Sequence, residues 1–352
     1  MRIAILIPTI KPGGAEKQAA LLAATLSLEH EVHFVSLYGK KNHSVIVQHF
    51  LEESRVSIHY LEGSFFKRWN AFRNLLKTLN IEVAFNYLTV CDVLGAIVEK
   101  LSSVKTVFNG IRNSRLAPAK MFLEWFAHNF IADYTIYNCH SGAKYFEQKG
   151  FNKKKSIIIP NCFPNISTFI EREDKKIKTI VTVGRFETQK DYLTAIKAIA
   201  ELRTCRKDFL FKIIGHGHLE AQIRSWISEY DLSSYTSIYI APANVQDIIK
   251  EADVYLSTSL FEGTSNSIME AMNWSLPIVA TNVGDNNILV KNNISGFLAE
   301  VGDYTTLAKD LDHLLSSHKS RLQMGMIGHE NLYNFSAEVF KNNYLELLKT
   351  RI

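Results

Sequence analysis

Short apolar runs rich in Val, Ile and Phe recur along the whole chain, each followed by a stretch with helical spacing. This alternation narrows the possible folds more than any other feature. Near-continuous apolar runs of strand length suit parallel strands, whose two faces are both covered by helices. Repeated strand–helix units then give an α/β fold with parallel sheets. The candidate strands are 2–8, 31–37, 56–61, 82–86, 104–108, 134–138 and 156–159, then 178–184, 209–214, 236–240, 253–257, 277–281 and 296–299. Between the two sets, Pro160–Pro164 and the charged stretch Glu171–Lys178 read as a surface linker. A chain of 352 residues suits two domains of average size. The expectation is two Rossmann-like domains, 1–165 and 166–327, with a cleft between the C-terminal ends of their strands, and a last helix at about 328–349 within a segment 328–352.

The apolar share of 47% supplies real cores, yet no apolar run is long enough to span a bilayer. Met1–Pro8 is too short for a signal peptide and reads as a first buried strand. Cys91, Cys139, Cys162 and Cys205 are scattered without pairing or metal-ligand spacing, which suits a reducing, cytoplasmic setting. Charge is uneven. Residues 1–165 hold 20 Lys and Arg against 12 Asp and Glu, whereas the remainder holds 20 against 23. A basic first half suits an anionic surface, either lipid headgroups or nucleic acid. No nucleic-acid motif accompanies it, so a nucleic-acid partner is not expected.

Residues 261–284 carry the densest chemistry. Glu262 and Glu270 flank Gly263-Thr264-Ser265-Asn266-Ser267, a cluster of small polar residues that suits the N-terminus of a helix. The first amides of a helix lack partners and its dipole attracts an anion, so a phosphate fits there. A carboxylate on each side of a diphosphate matches a nucleotide sugar, with ribose on one side and sugar on the other. Taken alone, the spacing equally suits an ordinary capped helix with two surface glutamates.

Other strand ends carry similar material. Gly184-Arg185 through Lys190 follows one strand and places two cations where ligand contacts are common. Gly215-His216-Gly217-His218 follows another; it lacks a third glycine and an acidic partner, so it is not a dinucleotide fingerprint, and two histidines alone make a poor zinc site. Gly13-Gly14-Ala15-Glu16 lies between the first strand and an Ala/Leu-rich helix. Phe65, Trp69, Phe72, Leu76 and Leu79 form a helical stripe beside Lys67, Arg68, Arg73 and Lys77, which suits either a sheet-facing helix or an interfacial membrane contact. Met121–Phe126 presents the same pair of readings.

The ordered set Glu262-x7-Glu270, Glu270-Ala271-Met272, Leu276-Pro-Ile-Val-Ala-Thr281, Val283-Gly284 and Asn293-Ile-Ser-Gly-Phe-Leu298 closely resembles the signature of the retaining family 4 glycosyltransferases of the GT-B fold. Gly184-Arg185-x4-Lys190 and Gly13-Gly14-Ala15-Glu16 also resemble elements of that family. The resemblance implies that Arg185 and Lys190 contact the donor diphosphate, Glu262 the sugar hydroxyls and Glu270 the ribose. Gly184, Gly215, Gly217 and residues 263–267 would lie by the donor, and Gly13, Gly14 and Glu16 would face donor and acceptor. Many members carry a His after the strand at 104–108; Arg112 and Asn113 stand here instead, with His140 a weaker substitute. The C-terminal helix is expected to pack back on the first domain.

The function implied is transfer of a hexosyl or N-acetylhexosaminyl group from a nucleotide sugar, by default a UDP-sugar, with retention. The expected acceptor is a glycan or lipid-linked intermediate of surface-polysaccharide synthesis, with possible peripheral membrane contact through the basic half. No covalent glycosyl-enzyme is expected, since the resemblance assigns Glu262 and Glu270 to donor binding, and no metal or cofactor, because Arg185, Lys190 and the helix dipole carry the leaving-group charge. The alternatives are a noncatalytic nucleotide-sugar-binding partner subunit and a GT-B nucleotide-sugar epimerase.

Overall fold

All the apolar runs named above become strands, and they pair in parallel throughout. The computed structural model describes residues 1–11, 13–40, 44–112 and 115–352. They form two units, Met1–Cys162 with Ala337–Ile352, and Phe163–Ser336. The fold is GT-B, with a Rossmann-like sheet and flanking helices in each unit.

In the first unit, β1 (Arg2–Ile7), α1 (Gly14–Leu26), β2 (Glu31–Ser36), α2 (Val45–Glu52), β3 (Val56–Tyr60), α3 (Phe65–Thr78) and β4 (Val83–Asn86) alternate. They are followed by α4 (Ala96–Leu101), β5 (Thr106–Ile111), α5 (Pro118–Phe126), β6 (Tyr134–Tyr137), α6 (His140–Gln148) and β7 (Ser156–Ile158). The sheet order is β3-β2-β1-β4-β5-β6-β7. Its direction of growth reverses between β1 and β4, the place where ligands enter sheets of this kind. Single π-helical turns, Cys91–Gly95 and Ala127–Ile131, lead into α4 and out of α5. Gln18 on α1 exchanges two 2.8 Å hydrogen bonds with the backbone of Cys162, which ties the end of the first stretch of chain to the core.

The second unit runs β8 (Lys178–Val183), α7 (Tyr192–Cys205), β9 (Phe209–Gly215), α8 (Glu220–Glu229), β10 (Thr236–Ile240), α9 (Val245–Lys250) and β11 (Val254–Ser257). It continues through α10 (Asn266–Asn273), β12 (Ile278–Thr281), α11 (Asn286–Leu289), β13 (Gly296–Ala299), α12 (Tyr304–Ser316) and α13 (His318–Leu332). The order β10-β9-β8-β11-β12-β13 reverses between β8 and β11. The final helix, α14 (Ala337–Arg351), belongs to the first unit, where Phe340, Tyr344, Leu347 and Leu348 join the β1–β5 core.

Three expectations need correction. The helix placed at 328–349 is two helices, α13 and α14, separated by a 3-10 turn at Tyr333–Phe335 and an extended Ser336. The stretch read as a surface linker is laid along the second unit: the Ser167 and Ile170 amides donate to Asn273 Oδ1 and Ser275 Oγ, and Arg172 donates to the Ala252 carbonyl. Some of its charges are paired, Asp174 with Arg321 and Lys178, and Lys175 with Asp253, while Glu171, Glu173 and Lys176 are exposed. The α3 stripe divides. Phe72 and Leu76 are buried and Trp69 and Leu79 pack beside them, while Phe65 and Phe66 at its start are exposed.

Candidate functional site

At the β8/β11 reversal, two loops are laced together. Thr258 Oγ1 donates to the carbonyls of Lys190 and Asp191, the Leu260 amide donates to the Gln189 carbonyl, and Gln189 Nε2 donates to the Phe261 carbonyl. Lys190 Nζ then meets Glu262 Oε1 at 2.5 Å, and Ser259 Oγ donates to the same oxygen at 2.7 Å. The Lys190 and Glu262 side chains are 18% and 9% exposed, so their charges sit largely out of water. Gly184 allows this: a Cβ there would stand 3.2 Å from three carbons of the Lys190 side chain, which crosses it. Asp191 adopts the left-handed conformation (φ 46°) and caps α7 by accepting from the Thr194 amide, which turns the chain sharply after Lys190.

Beyond this pair opens a cavity of about 340 Å³. Gly184, Arg185, Lys190, Glu262, Thr264, Ser265, Asn266, Ser267 and Glu270 all line it. Ser265 is the N-cap residue of α10 but its side chain bonds no helix amide, so the first amides of α10 remain open to a ligand. Glu262 lies on the loop and Glu270 on the helix. Arg185 is exposed and bonded to Glu187 at 2.9 Å. Gly263 supports the loop through its carbonyl, which accepts from the Asp285 amide. At Gly284 (φ 58°) a Cβ would come within 2.4 Å of the Glu262 carbonyl oxygen, so only glycine lets that turn seat the acidic loop.

Gly215 and Gly217 do not line the cavity. They let the end of β9 press against the loop after β8: a Cβ on Gly215 would overlap the Gly184 carbonyl, and one on Gly217 (φ 151°) would lie 2.6 Å from the Phe186 carbonyl. His216 and His218 are exposed. The residues missed in the sequence are Thr258, Ser259 and Gln189. Thr258 and Ser259 directly follow β11, the same strand-end position that drew attention to Gly184, and that signal was available.

In the first unit, Gly13 lies between β1 and α1 and Gly14 is the first residue of α1, Arg112 follows β5, and His140 starts α6 after β6. All three positions therefore fall at the C-terminal edge of one parallel sheet. Gly13 is the N-cap residue of α1, and the Glu16 carboxylate folds back over it. Asn113 lies outside the described residues. The Arg112 guanidinium lies 4.5 Å from the centre of the Tyr87 ring and its Nη2 donates to Tyr344 Oη at 3.4 Å. Tyr344 comes from α14, so the C-terminal helix helps to place a residue at the end of β5.

Beneath Arg112 lies a buried polar network. Asp92 Oδ1 accepts from the Gly110 amide and Asn109 Nδ2 donates to the Asp92 carbonyl, both at 2.8 Å. Asn86 Nδ2 donates to Glu99 at 2.8 Å. Burial pushes the Asp92 carboxyl up to about 6 and the Glu99 carboxyl up to about 8, and lifts Glu124 well above the carboxylate range. Asp92 and Glu124 titrate as neighbours, the charge of Asp92 adding to burial in raising Glu124. The network fixes the backbone at Gly110, two residues before Arg112.

Residues 165–330 match the family described as "Glycosyl transferases group 1". Over almost the full chain, the protein is similar to the Campylobacter jejuni enzyme named GalNAc-alpha-(1->4)-GalNAc-alpha-(1->3)-diNAcBac-PP-undecaprenol alpha-1,4-N-acetyl-D-galactosaminyltransferase, with 23% identity covering 99% of this chain and 98% of that one. A second Campylobacter jejuni enzyme, an N-acetylgalactosamine-N,N'-diacetylbacillosaminyl-diphospho-undecaprenol 4-alpha-N-acetylgalactosaminyltransferase, is 25% identical over 91% of this chain and 92% of its own. The crystal structure of Anabaena HepE in complex with UDP has a similar fold (TM-score 0.84, 17% identity), covering 99% of this chain and all of the other.

Proposed function

We propose that this chain, a GT-B glycosyltransferase related to the family 4 transferases of bacterial surface polysaccharides and lipid-linked sugars, moves a hexosyl or N-acetylhexosaminyl group from a UDP-sugar with retention of configuration. The observation that carries this reading is the Lys190–Glu262 pair held across the β8/β11 reversal, beside the open N-terminus of α10. The donor diphosphate takes the place of Glu262 as a partner of Lys190, with Arg185 and the first α10 amides completing its cradle. Glu262 is then released toward the sugar hydroxyls, and Glu270 on the helix reaches the ribose. HepE in complex with UDP-glucose, similar in fold at TM-score 0.82, supports uridine as the base.

In the transfer step the bond from the anomeric carbon to the diphosphate oxygen breaks while the acceptor oxygen forms its bond on the same face. The acceptor proton passes to the departing diphosphate oxygen, so no protein nucleophile takes part. Positive groups already in place meet the charge that develops on the leaving group. Gly13, Gly14, Glu16 and Arg112, with His140 as a weaker candidate, supply the acceptor and sugar contacts. The domains are assigned as an acceptor-binding first unit and a donor-binding second unit. The acceptor is a glycan or lipid-linked intermediate, in keeping with the undecaprenol-linked substrates that name both Campylobacter relatives. The reaction would take place at the cytoplasmic face of the membrane; among the described residues no helix is long and apolar enough to cross one.

The test is thermal stabilisation by UDP, GDP, ADP and their sugars, with and without chelator. Stabilisation by the uridine compounds in chelator supports a metal-independent UDP-sugar transferase. Equal response to all three bases, or to none, refutes the donor assignment.

A further inference from the structure

Helix α5 and the turn after it carry their polarity reversed. Glu124 is the buried residue of α5, whereas Phe122, Leu123, Phe126 and Phe130 are 63, 46, 44 and 65% exposed. Single exposed apolar side chains need no explanation, but these rings are continuous. Phe122 stacks on Trp125 at 6.1 Å, Trp125 meets Phe130 edge-on at 5.6 Å, and Phe126 meets Phe130 at 5.4 Å. Beside them runs a groove of about 540 Å³ lined by Met121, Phe122, Trp125, Tyr145 and Lys149, among others. A helix that turns its carboxylate inward and its phenylalanines outward is arranged for contact with another apolar phase.

The charge around this face identifies that phase. Residues 115–155 hold seven Lys and Arg against three acids. Of those acids, Glu124 is buried and Asp133 is paired with Lys100, which leaves Glu147. The lysine-bearing turn is fastened to the aromatic helix: Trp125 Nε1 and Asn129 Nδ2 both donate to the Gly150 carbonyl, and the Asn152 amide donates to Asn129 Oδ1. Lys149, Lys153 and Lys154 are exposed there.

The geometry points to an anionic lipid surface as the partner of this face, with the phenylalanine rings entering the acyl boundary and the lysines meeting headgroup phosphates. Pairing with a second copy would place these like charges against one another. The inference deepens the reading of a lipid-linked acceptor given above and rests on it, by naming the surface that would hold the enzyme where such an acceptor resides.

Co-sedimentation of the full chain with phosphatidylcholine vesicles, with and without about 30% phosphatidylglycerol, tests it in low and high salt. The expected result is binding to the anionic vesicles that weakens with salt. Phe122→Ser with Phe130→Ser should weaken it about a hundredfold, roughly a decade for each phenylalanine removed. Lys153→Glu with Lys154→Glu should weaken it about tenfold or more. Brominated acyl chains should quench Trp125 fluorescence, and the quenching should vanish in Trp125→Phe. Both double variants alter exposed side chains and should keep the stabilisation by UDP. That readout separates failure here from failure of the donor assignment, since a wild type that ignores UDP yet binds vesicles refutes only the latter. Absence of wild-type binding, or equal binding by the phenylalanine variant, overturns the proposal. So does a dimer in solution that this variant dissolves in the absence of vesicle binding.

Discussion

Removing the Lys190 ammonium with Lys190→Met separates the stability of the loop carrying Glu262 from the chemistry proposed for it. The substitution keeps the length of the stem lying over Gly184 and deletes the 2.5 Å contact to Glu262. A buried carboxylate stripped of its cation costs about 3–5 kcal/mol when fully enclosed. Here Ser259 still donates to the same oxygen and the cavity admits water, so we expect a loss nearer ~2 kcal/mol. For a unit the size of Phe163–Ser336 that lowers the melting temperature by roughly 4–8 °C. Adding Glu262→Gln removes the orphaned charge and should recover at least half of the loss. Turnover behaves differently. Lys190→Met should lower kcat/KM by about 10²–10³-fold, and the double variant should not regain it, because the diphosphate lacks its cation in both. Melting by differential scanning calorimetry without donor, beside turnover of UDP-sugar, reads both quantities. A wild-type melting temperature in Lys190→Met refutes the pairing argument, and turnover within threefold of wild type refutes the diphosphate role.

Four further outcomes follow from the same geometry. Gly217→Ala, with φ at 151° and the Phe186 carbonyl 2.6 Å from the new Cβ, should destabilise the second unit and weaken UDP binding at least tenfold, measured by calorimetric titration. Arg112→Lys loses the guanidinium placed 4.5 Å over the Tyr87 ring and should lower kcat by about tenfold or more while UDP affinity stays unchanged; an equal loss of UDP affinity would move Arg112 out of the sugar and acceptor region. The Asp92, Glu99 and Glu124 carboxyls titrate higher in the folded than in the unfolded chain, so between the ordinary carboxylate range and about pH 8 the folded state holds more protons. Stability of the first unit is therefore fullest below the unfolded values and falls as pH rises toward 8, and Glu99→Gln, which keeps an acceptor for Asn86, should flatten that fall in melts across the range. Arg185→Ala should lower turnover by about 10²–10³-fold with little change in melting temperature, since its exposed bond to Glu187 contributes little to folding.

The central strands were legible because they are buried on both faces, and burial of that kind leaves a continuous apolar run that composition reveals locally, while the edge strands β3 and β10 are only partly buried. Glu262, Glu270 and the small residues between them were legible for a related reason: one loop and one helix start contain them all. The sequence by itself thus determined a two-sheet α/β chain and the cluster of polar residues at the start of α10. Tertiary structure decided which charges meet. Lys190 finds Glu262 across 72 positions while Arg185 turns to Glu187, and nothing local distinguishes the two cations. It also decided that Gly215 and Gly217 serve the neighbouring loop, that Tyr344 of the last helix reaches Arg112, and that α5 hides Glu124 and shows its phenylalanines. These outcomes depend on strand order, which brings distant strand ends together at one edge of each sheet. Residue spacing records the period of a helix or strand and carries no mark of which strand will lie beside which.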